Sequence, residues 1–419
     1  MLPLRSCTRT LSCLVIVYGL SSGLGLAAEP PPRSYTLNEV VRVALEHNPA
    51  ITAARAELDK SEGRQEMAKA YPNPTFSMSA GHGAIRDPST GVSITERTFT
   101  LEQPLEWQGK RSARQRAAAA GLNSAQAALE ETRLEVISEV KVAFYTMLLA
   151  QRRADLAGEN VVMVEKLGEI VKTRAAAGDA TRFELTKTEV EVLKGRQALG
   201  KARSGVIMAR AEVNALTAGE LGTDFTVEGE FATVDDVPPL QVLIARAWEQ
   251  HPLTRRLNRQ VEQADHQVVH EQQSRIPNVT VSGQYHREAG DEAFTAGLSV
   301  PVPVWYRQQG EIASAYGAKR RAEADLVHAR ADLAKTLTQH MQEVRTARDQ
   351  IRVFEEGLLK QAQKTVDFAR ISFQQGYAGL LDTLDAQRVY RETLNDYAQA
   401  KCELATALVR LERSVGGQL

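Results

Sequence analysis

The chain carries one pattern twice in the same order, and a duplicated order restricts the possible folds more than any bulk property. Ala44-Leu45-Glu46-His47-Asn48-Pro49 returns as Ala247-Trp248-Glu249-Gln250-His251-Pro252. Pro72-Asn73, leading into an alternating stretch, returns as Pro277-Asn278 leading into another. Gly178 closes a very long helical pattern, and Gly376 closes a second. Each half therefore reads as a helix, two short strands, a very long helix, a glycine stop and a returning helix. The spacing between matching points drifts, which points to a shortened loop in the second copy.

The expected organisation is a leader at 1–28, a first repeat at 29–218, a connector at 219–238 and a second repeat at 239–419. Arg5 and Arg9 precede an apolar run that starts at Leu14 and ends in Leu26-Ala27-Ala28, the layout of a secretory signal peptide. An N-terminal membrane anchor is the alternative, but the run is short and contains Gly19, Gly23 and Gly25. Cys7 and Cys13 leave with such a leader, and Cys402 stays alone. An exported chain with one thiol has no internal disulfide framework, so packing or assembly must stabilise it. Formal net charge is -1, and no block of Lys/Arg suggests nucleic acid. No phosphate loop, nucleophile elbow or paired zinc motif is present. The expectation is a non-enzyme without cofactor.

A helix is expected from about Thr36 to Ala70, interrupted at Asn48-Pro49, because Pro49 lacks an N–H and disfavours helical geometry for Asn48. Thr75–Ala80 and Thr98–Glu102 alternate, which places Phe76, Met78 and Ala80 on one face and Thr75, Ser77 and Ser79 on the other. Asp87-Pro88-Ser89-Thr90-Gly91 between them is turn chemistry. Val279, Val281 and Tyr285 repeat the alternation, as do Phe294, Ala296, Leu298 and Val300. The strand pairs fall at about 75–104 and 278–304, with Pro104 and Pro301/Pro303 ending the second strand of each.

Leu129, Val136, Ala143, Ala150, Ala157, Val164 and Val171 stand seven apart in a stretch without proline. That is a coiled-coil seam, on a helix roughly 100 Å long. Leu326, Leu333, Leu337, Val344, Ile351, Phe354, Leu358, Ala369 and Phe373 make the second seam.

Four strands of this length can cross a bilayer when tilted. They cannot close a barrel alone, and lipid tolerates no open strand edge. Copies must then combine, and three would give twelve strands. A soluble four-stranded sheet capping a helical bundle fits the same pattern. Trp107 and Trp305 stand just past the strand ends, where an interfacial aromatic belt would place them; a core position at a strand–helix corner is the plainer reading.

Asn48-Pro49, Gln103-Pro104-Leu105-Glu106 leading to Gly109-Lys110-Arg111-Ser112-Ala113-Arg114, and Leu381-Asp382-Thr383-Leu384-Asp385-Ala386-Gln387 resemble the TolC-like outer-membrane efflux channels. The resemblance covers residues 35–416. It implies a mainly α fold with a membrane β portion: a homotrimer forming a twelve-stranded barrel continuous with an α-helical barrel. It further implies an outer-membrane location, extension into the periplasm, a periplasmic adaptor and an inner-membrane pump. The Gln103–Arg114 stretch is similar to the branch serving heavy-metal pumps of the resistance–nodulation–division type. The rival is a soluble periplasmic coiled-coil adaptor or scaffold.

On this reading Asp382 and Asp385, three apart on one helix face, line the tunnel mouth with Glu184 and form acidic rings that favour cations. A solvated face, with Asp385 paired to Arg388, is the bland alternative. Phe373 and Ala378 stand where the family often has Tyr and Arg, so Phe373 is expected to fill the constriction without a hydrogen bond. The tips Gly178, Asp179, Ala180 and Gly376, Tyr377, Ala378 are expected to dock the adaptor. His266 and His270, four apart and followed by Glu271, have a spacing that can bind zinc, but no third, well-placed ligand is evident, and no metal site is expected.

Overall fold

A computed structural model describes residues 33–84, 93–234, 236–288 and 290–419. The leader and the Asp87–Gly91 turn lie outside them. The first half comprises β1 (Arg33–Tyr35), α1 (Leu37–His47), α2 (Pro49–Lys69), β2 (Thr75–Ala84), β3 (Ser93–Leu105), α3 (Gln108–Ala176) and α4 (Arg182–Leu216). After β4 (Phe225–Val227) come α5 (Leu240–Gln250), α6 (Pro252–Gln273), β5 (Val279–Glu288) and β6 (Asp291–Ser299). Then follow α7 (Gln309–Val353), a π-helical turn (Phe354–Leu358), α8 (Leu359–Gln374) and α9 (Leu380–Val415). The connector strand β4 pairs in parallel with β1, a short strand that the Pro-rich lead-in did not suggest.

The helix break falls where Pro49 requires it. Asn48 is extended (φ -62°, ψ 128°) and accepts the Ala50 N–H, while Pro49 takes the first helical position, where its missing N–H costs nothing. The 69-residue α3 holds its seam on the buried side: Leu129, Val136, Ala143, Val164 and Val171 are buried, and Ala150 and Ala157 half-buried.

The second seam departs from expectation at one point. Leu358 is exposed. The π turn inserts one residue into the helical repeat and rotates everything after it. Leu337, Val344 and Ile351 are buried before the turn; Ala362, Val366 and Phe373 are buried after it.

The four long strands form one antiparallel sheet in the order β2-β3-β5-β6. Both strand pairs run longer than the alternating residues suggested, and β3 continues through Pro104 to Leu105. A proline is tolerated in its last rungs because one ladder donor is all that it removes. Cross-strand rows alternate in chemistry. Met78, Phe99, Tyr285 and Phe294 form one row; Ser77, Thr100, Gln284 and Thr295 form the next, on the opposite face. The aromatic row is in contact, with centroids 6.1 Å apart for Phe99–Tyr285 and 4.8 Å for Tyr285–Phe294. Strands β2 and β6 are free edges. Among the described residues no helix is long and apolar enough to cross a membrane.

Two cores lie where the short helices meet the long ones. Val40, Ile51, Val140, Phe144, Met147, Val213 and Phe225 belong to the first; Leu243, Leu337, Val344, Leu408 and Leu411 to the second. A third, small cluster sits far away, at the helix turns.

Candidate functional site

Three places were expected to carry function: the helix turns, the acidic mouth and the corner between strands and helices. The turns are built alike. After α3, the Gly178 N–H bonds Ala175 O at 3.2 Å and the Asp179 N–H bonds Arg174 O at 2.8 Å. After α8, the Gly376 N–H bonds Phe373 O at 3.1 Å and the Tyr377 N–H bonds Ser372 O at 2.8 Å. Both are Schellman stops, with Gly178 (φ +87°) and Gly376 (φ +80°) in the left-handed region that glycine allows at no steric cost. Asp179 and Tyr377 are exposed at the tips.

The returning helices also start alike. Glu184 accepts from the Thr181 N–H at 2.7 Å and from its hydroxyl at 3.0 Å, while Thr181 Oγ1 accepts the Glu184 N–H at 3.2 Å. This reciprocal cap holds the Glu184 carboxyl below its ordinary range, first through the Thr181 N–H and next through its hydroxyl. Asp382 takes the same place in the second half and accepts the Gly379 N–H at 3.2 Å. Glu184 and Asp382 are thus helix caps, a role the sequence reading did not assign. Asp385 pairs with Arg388 at 2.5 Å, and Arg388 also reaches Glu392 at 3.5 Å.

Asp382, Asp385 and Arg388 face a groove of roughly 1640 Å³ between the two hairpins. Lys187, Glu191, Lys194 and Lys201 of α4 line the same groove. Lys187 and Lys194 both approach Glu191, at 3.5 and 3.2 Å. The groove therefore carries both signs of charge.

Phe373 requires a correction. Expected to fill a constriction, it is 4% exposed and packs with Leu167 and Val171 of α3 and with Leu380. Ala180, Leu185 and Leu384 flank it, and the Arg174 guanidinium lies 5.2 Å from its ring centroid. Without a tyrosine hydroxyl, the ring is free to bury. It joins the tip of one hairpin to the other instead of facing open space. Arg182, in the first-half turn, is exposed. Ala180 belongs to this clasp too, so it is not a free docking surface.

The strand–helix corner explains the Gln103–Arg114 stretch. Arg111 donates to Lys69 O at 2.7 Å; Arg114 donates to Ala68 O and Ala70 O, each at 3.2 Å. Those carbonyls end α2 and have no partner within the helix. Arg114 also pairs with Glu106 at 2.5 Å, and the Glu106 side chain is 3% exposed. Gln103 donates to Pro72 O at 3.0 Å, and Arg111 lies over the Tyr71 ring. The motif is a clamp that fixes strand to helix. Trp107 donates its indole N–H to Gln273 Oε1 at 3.1 Å, while Trp305 is 95% exposed. The His270 ring lies 3.3 Å from Glu271, and among the described residues no cluster of three His, Cys, Asp or Glu could hold a metal ion.

The model of the family described as outer membrane efflux protein matches residues 40–219 and 243–417. The cobalt-zinc-cadmium resistance protein CzcC of Cupriavidus metallidurans is 26% identical over 385 residues, covering 91% of this chain and 90% of that protein. The nickel-cobalt-cadmium resistance protein NccC of Alcaligenes xylosoxydans is 24% identical, covering 78% of this chain and 74% of that protein. A membrane protein from Pseudomonas aeruginosa has the same fold, with a TM-score of 0.79 at 16% identity over 92% of this chain and 91% of that one.

Proposed function

This chain belongs to the outer membrane efflux protein family, and from that premise we propose how it serves as the outer-membrane channel of an efflux system. Three copies close a twelve-stranded barrel through which the cargo leaves. The helical hairpins continue the passage into the periplasm. The working unit is a pair of repeats, 29–218 and 239–419, about the 219–238 connector, behind a cleaved leader at 1–28.

One observation carries the reading. The β2-β3-β5-β6 sheet has an apolar face, a polar face and two unpaired edges. Such a sheet is stable in lipid only when its edges are joined. Four strands of 9 to 13 residues enclose no channel alone, whereas twelve do. Exposed apolar residues on α4 (Phe183, Val190, Leu193, Ile207) and on α8 (Phe368, Ile371) provide further surface for neighbouring copies.

Asp382, Asp385 and Glu184 contribute carboxylates around the mouth and favour cations, with Asp385 partly offset by Arg388. Gly178, Asp179, Gly376, Tyr377 and Ala378 meet a periplasmic adaptor, which links the channel to an inner-membrane pump of the resistance–nodulation–division type. Trp107 and Trp305 stand near the membrane boundary. The names of the two resistance proteins support divalent heavy-metal cations as cargo.

Amine-reactive cross-linking of native outer membranes should trap a trimer; trapping only monomer refutes the barrel. Asp382→Asn with Asp385→Asn keeps a capping oxygen at 382 and removes charge, so cation selectivity in planar bilayers should fall. Unchanged selectivity refutes the acidic mouth. A deletion strain should become sensitive to cobalt, zinc or cadmium; normal tolerance refutes the metal cargo.

A further inference from the structure

A duplicated chain repeats its contacts, and some of those repeats need a second molecule. The corner after β3 packs on the end of α6: Trp107 donates to Gln273, the last residue of that helix, at 3.1 Å. The approach is close, since a Cβ on neighbouring Gly109 would lie 2.5 Å from Gln273 Oε1. The corner after β6 carries Trp305 on the connection to α7, as the corner after β3 carries Trp107 at the start of α3. The helix end matching α6 is that of α2, whose last residue is Lys69. But β6 and β2 are opposite edges of the sheet, so one chain cannot bring the two corners together.

Building on the trimeric barrel described above, we propose that Trp305 seats against the Lys69 end of α2 in the adjoining copy. Trp305 is 95% exposed, against 49% for Trp107, which has its partner in the chain. Val302 and Val304 beside Trp305 are exposed, and so are Met67 and Tyr71 around Lys69. Tyr306 bonds Glu311 at 2.6 Å and receives the Gly310 N–H at 2.9 Å, which fixes the turn that holds Trp305 outward. Pro72 and Pro74 lead into β2, and Pro301 and Pro303 follow β6. None has an N–H to extend the ladder, so this contact is made by side chains. Where Gln273 brings an amide to Trp107, Lys69 brings an ammonium, a group that the face of an indole attracts.

The test is oxidation of full-length Lys69→Cys/Trp305→Cys protein in native outer membranes. It should give covalent dimers and trimers that neither single substitution gives, the native Cys402 being buried. Absence of this ladder, in protein that amine-reactive reagents still trap as trimer, overturns the contact and leaves the barrel standing. A second measurement keeps both native side chains. With Trp107→Phe and Trp248→Phe, Trp305 is the only fluorophore of its kind, and brominated phospholipids should leave its emission intact. Strong quenching overturns the proposal and places Trp305 in lipid. Monomer alone under amine-reactive reagents overturns the barrel and this contact together.

Discussion

Asn48 and His251 do the same two tasks at matching points of the two halves. Asn48 accepts the Ala50 N–H at 2.8 Å and donates to Leu216 O, at the end of α4, at 2.9 Å. His251 accepts the Leu253 N–H on Nδ1 at 3.1 Å, and its Nε2 lies 3.1 Å from Arg413 O, near the end of α9. Each side chain starts one helix and ties it to the end of another. The imidazole must be neutral to accept on one nitrogen and donate from the other.

His251 is therefore a source of pH-dependent stability. Burial pushes its pKa below the ordinary 6.5, outweighing the opposing Arg413 carbonyl and Glu131. The folded value lies below the unfolded one, so the unfolded chain takes up the proton first. The stabilisation is complete above 6.5 and is lost as pH falls from there towards the folded pKa. His251→Asn should remove this dependence and keep both bonds, as Asn48 does. His251→Ala should cost about 1 kcal/mol, the usual cost of a lost N-cap. Denaturant unfolding of wild type and both variants at several pH values checks this. His340 is also pushed down by burial, so the difference between wild type and His251→Asn is the quantity to read.

Arg114 offers a second prediction. It pairs with the nearly buried Glu106 and caps the end of α2. Arg114→Ala leaves that carboxylate without its partner and should cost about 3 kcal/mol, as breaking buried ion pairs does. Arg114→Met with Glu106→Leu should recover much of the loss by removing both charges. Thermal unfolding of the detergent-extracted protein measures each. A double variant as unstable as the single one would show that the carbonyl caps, not the pair, hold the corner.

The break at Pro49, the first seam and the alternating strands were legible because each depends on local spacing: three to four residues on a helix, two on a strand. What depends on non-local geometry was not. A one-residue insertion in a helix leaves no mark in composition, so Leu358 read as part of the seam and the turn at Phe354 escaped notice. The capping roles of Asp382 and Glu184 went unread because they depend on side-chain direction, although Thr181-Arg182-Phe183-Glu184 is a capping-box spelling that was available. Phe373 read as a plug because only the folded chain brings Leu167 and Val171 over it. The Arg111 and Arg114 clamp needed the end of α2, more than forty positions earlier in the chain.

The apolar clasp at the tips should control opening. Phe373→Ala removes a buried ring from between Leu167, Val171 and Leu380 and should cost about 3 kcal/mol, within the range for a large buried side chain. The loss falls at the far end of the helices, away from both larger cores, so the tip should loosen before the rest unfolds. Single-channel conductance should rise in Phe373→Ala and stay near wild type in Phe373→Leu. Equal conductance in all three would show that Phe373 supports the hairpins without restraining the mouth.

The tips themselves supply the last prediction, and the structure changes which residues test it. Ala180 packs on the clasp, so a bulky side chain there would disturb opening and docking at once. Asp179 and Tyr377 are exposed and stand at the same point of two identical helix stops. Their backbone N–H groups close the Schellman bonds, and their side chains have no part in them. Asp179→Trp and Tyr377→Trp should thus leave folding, trimer abundance and conductance unchanged, because neither the stop nor the clasp is touched. If an adaptor meets the channel tip to tip, two indoles there should block the approach and abolish export in cells. Export that persists with trimers at normal abundance would mean that the adaptor grips the sides of the hairpins instead.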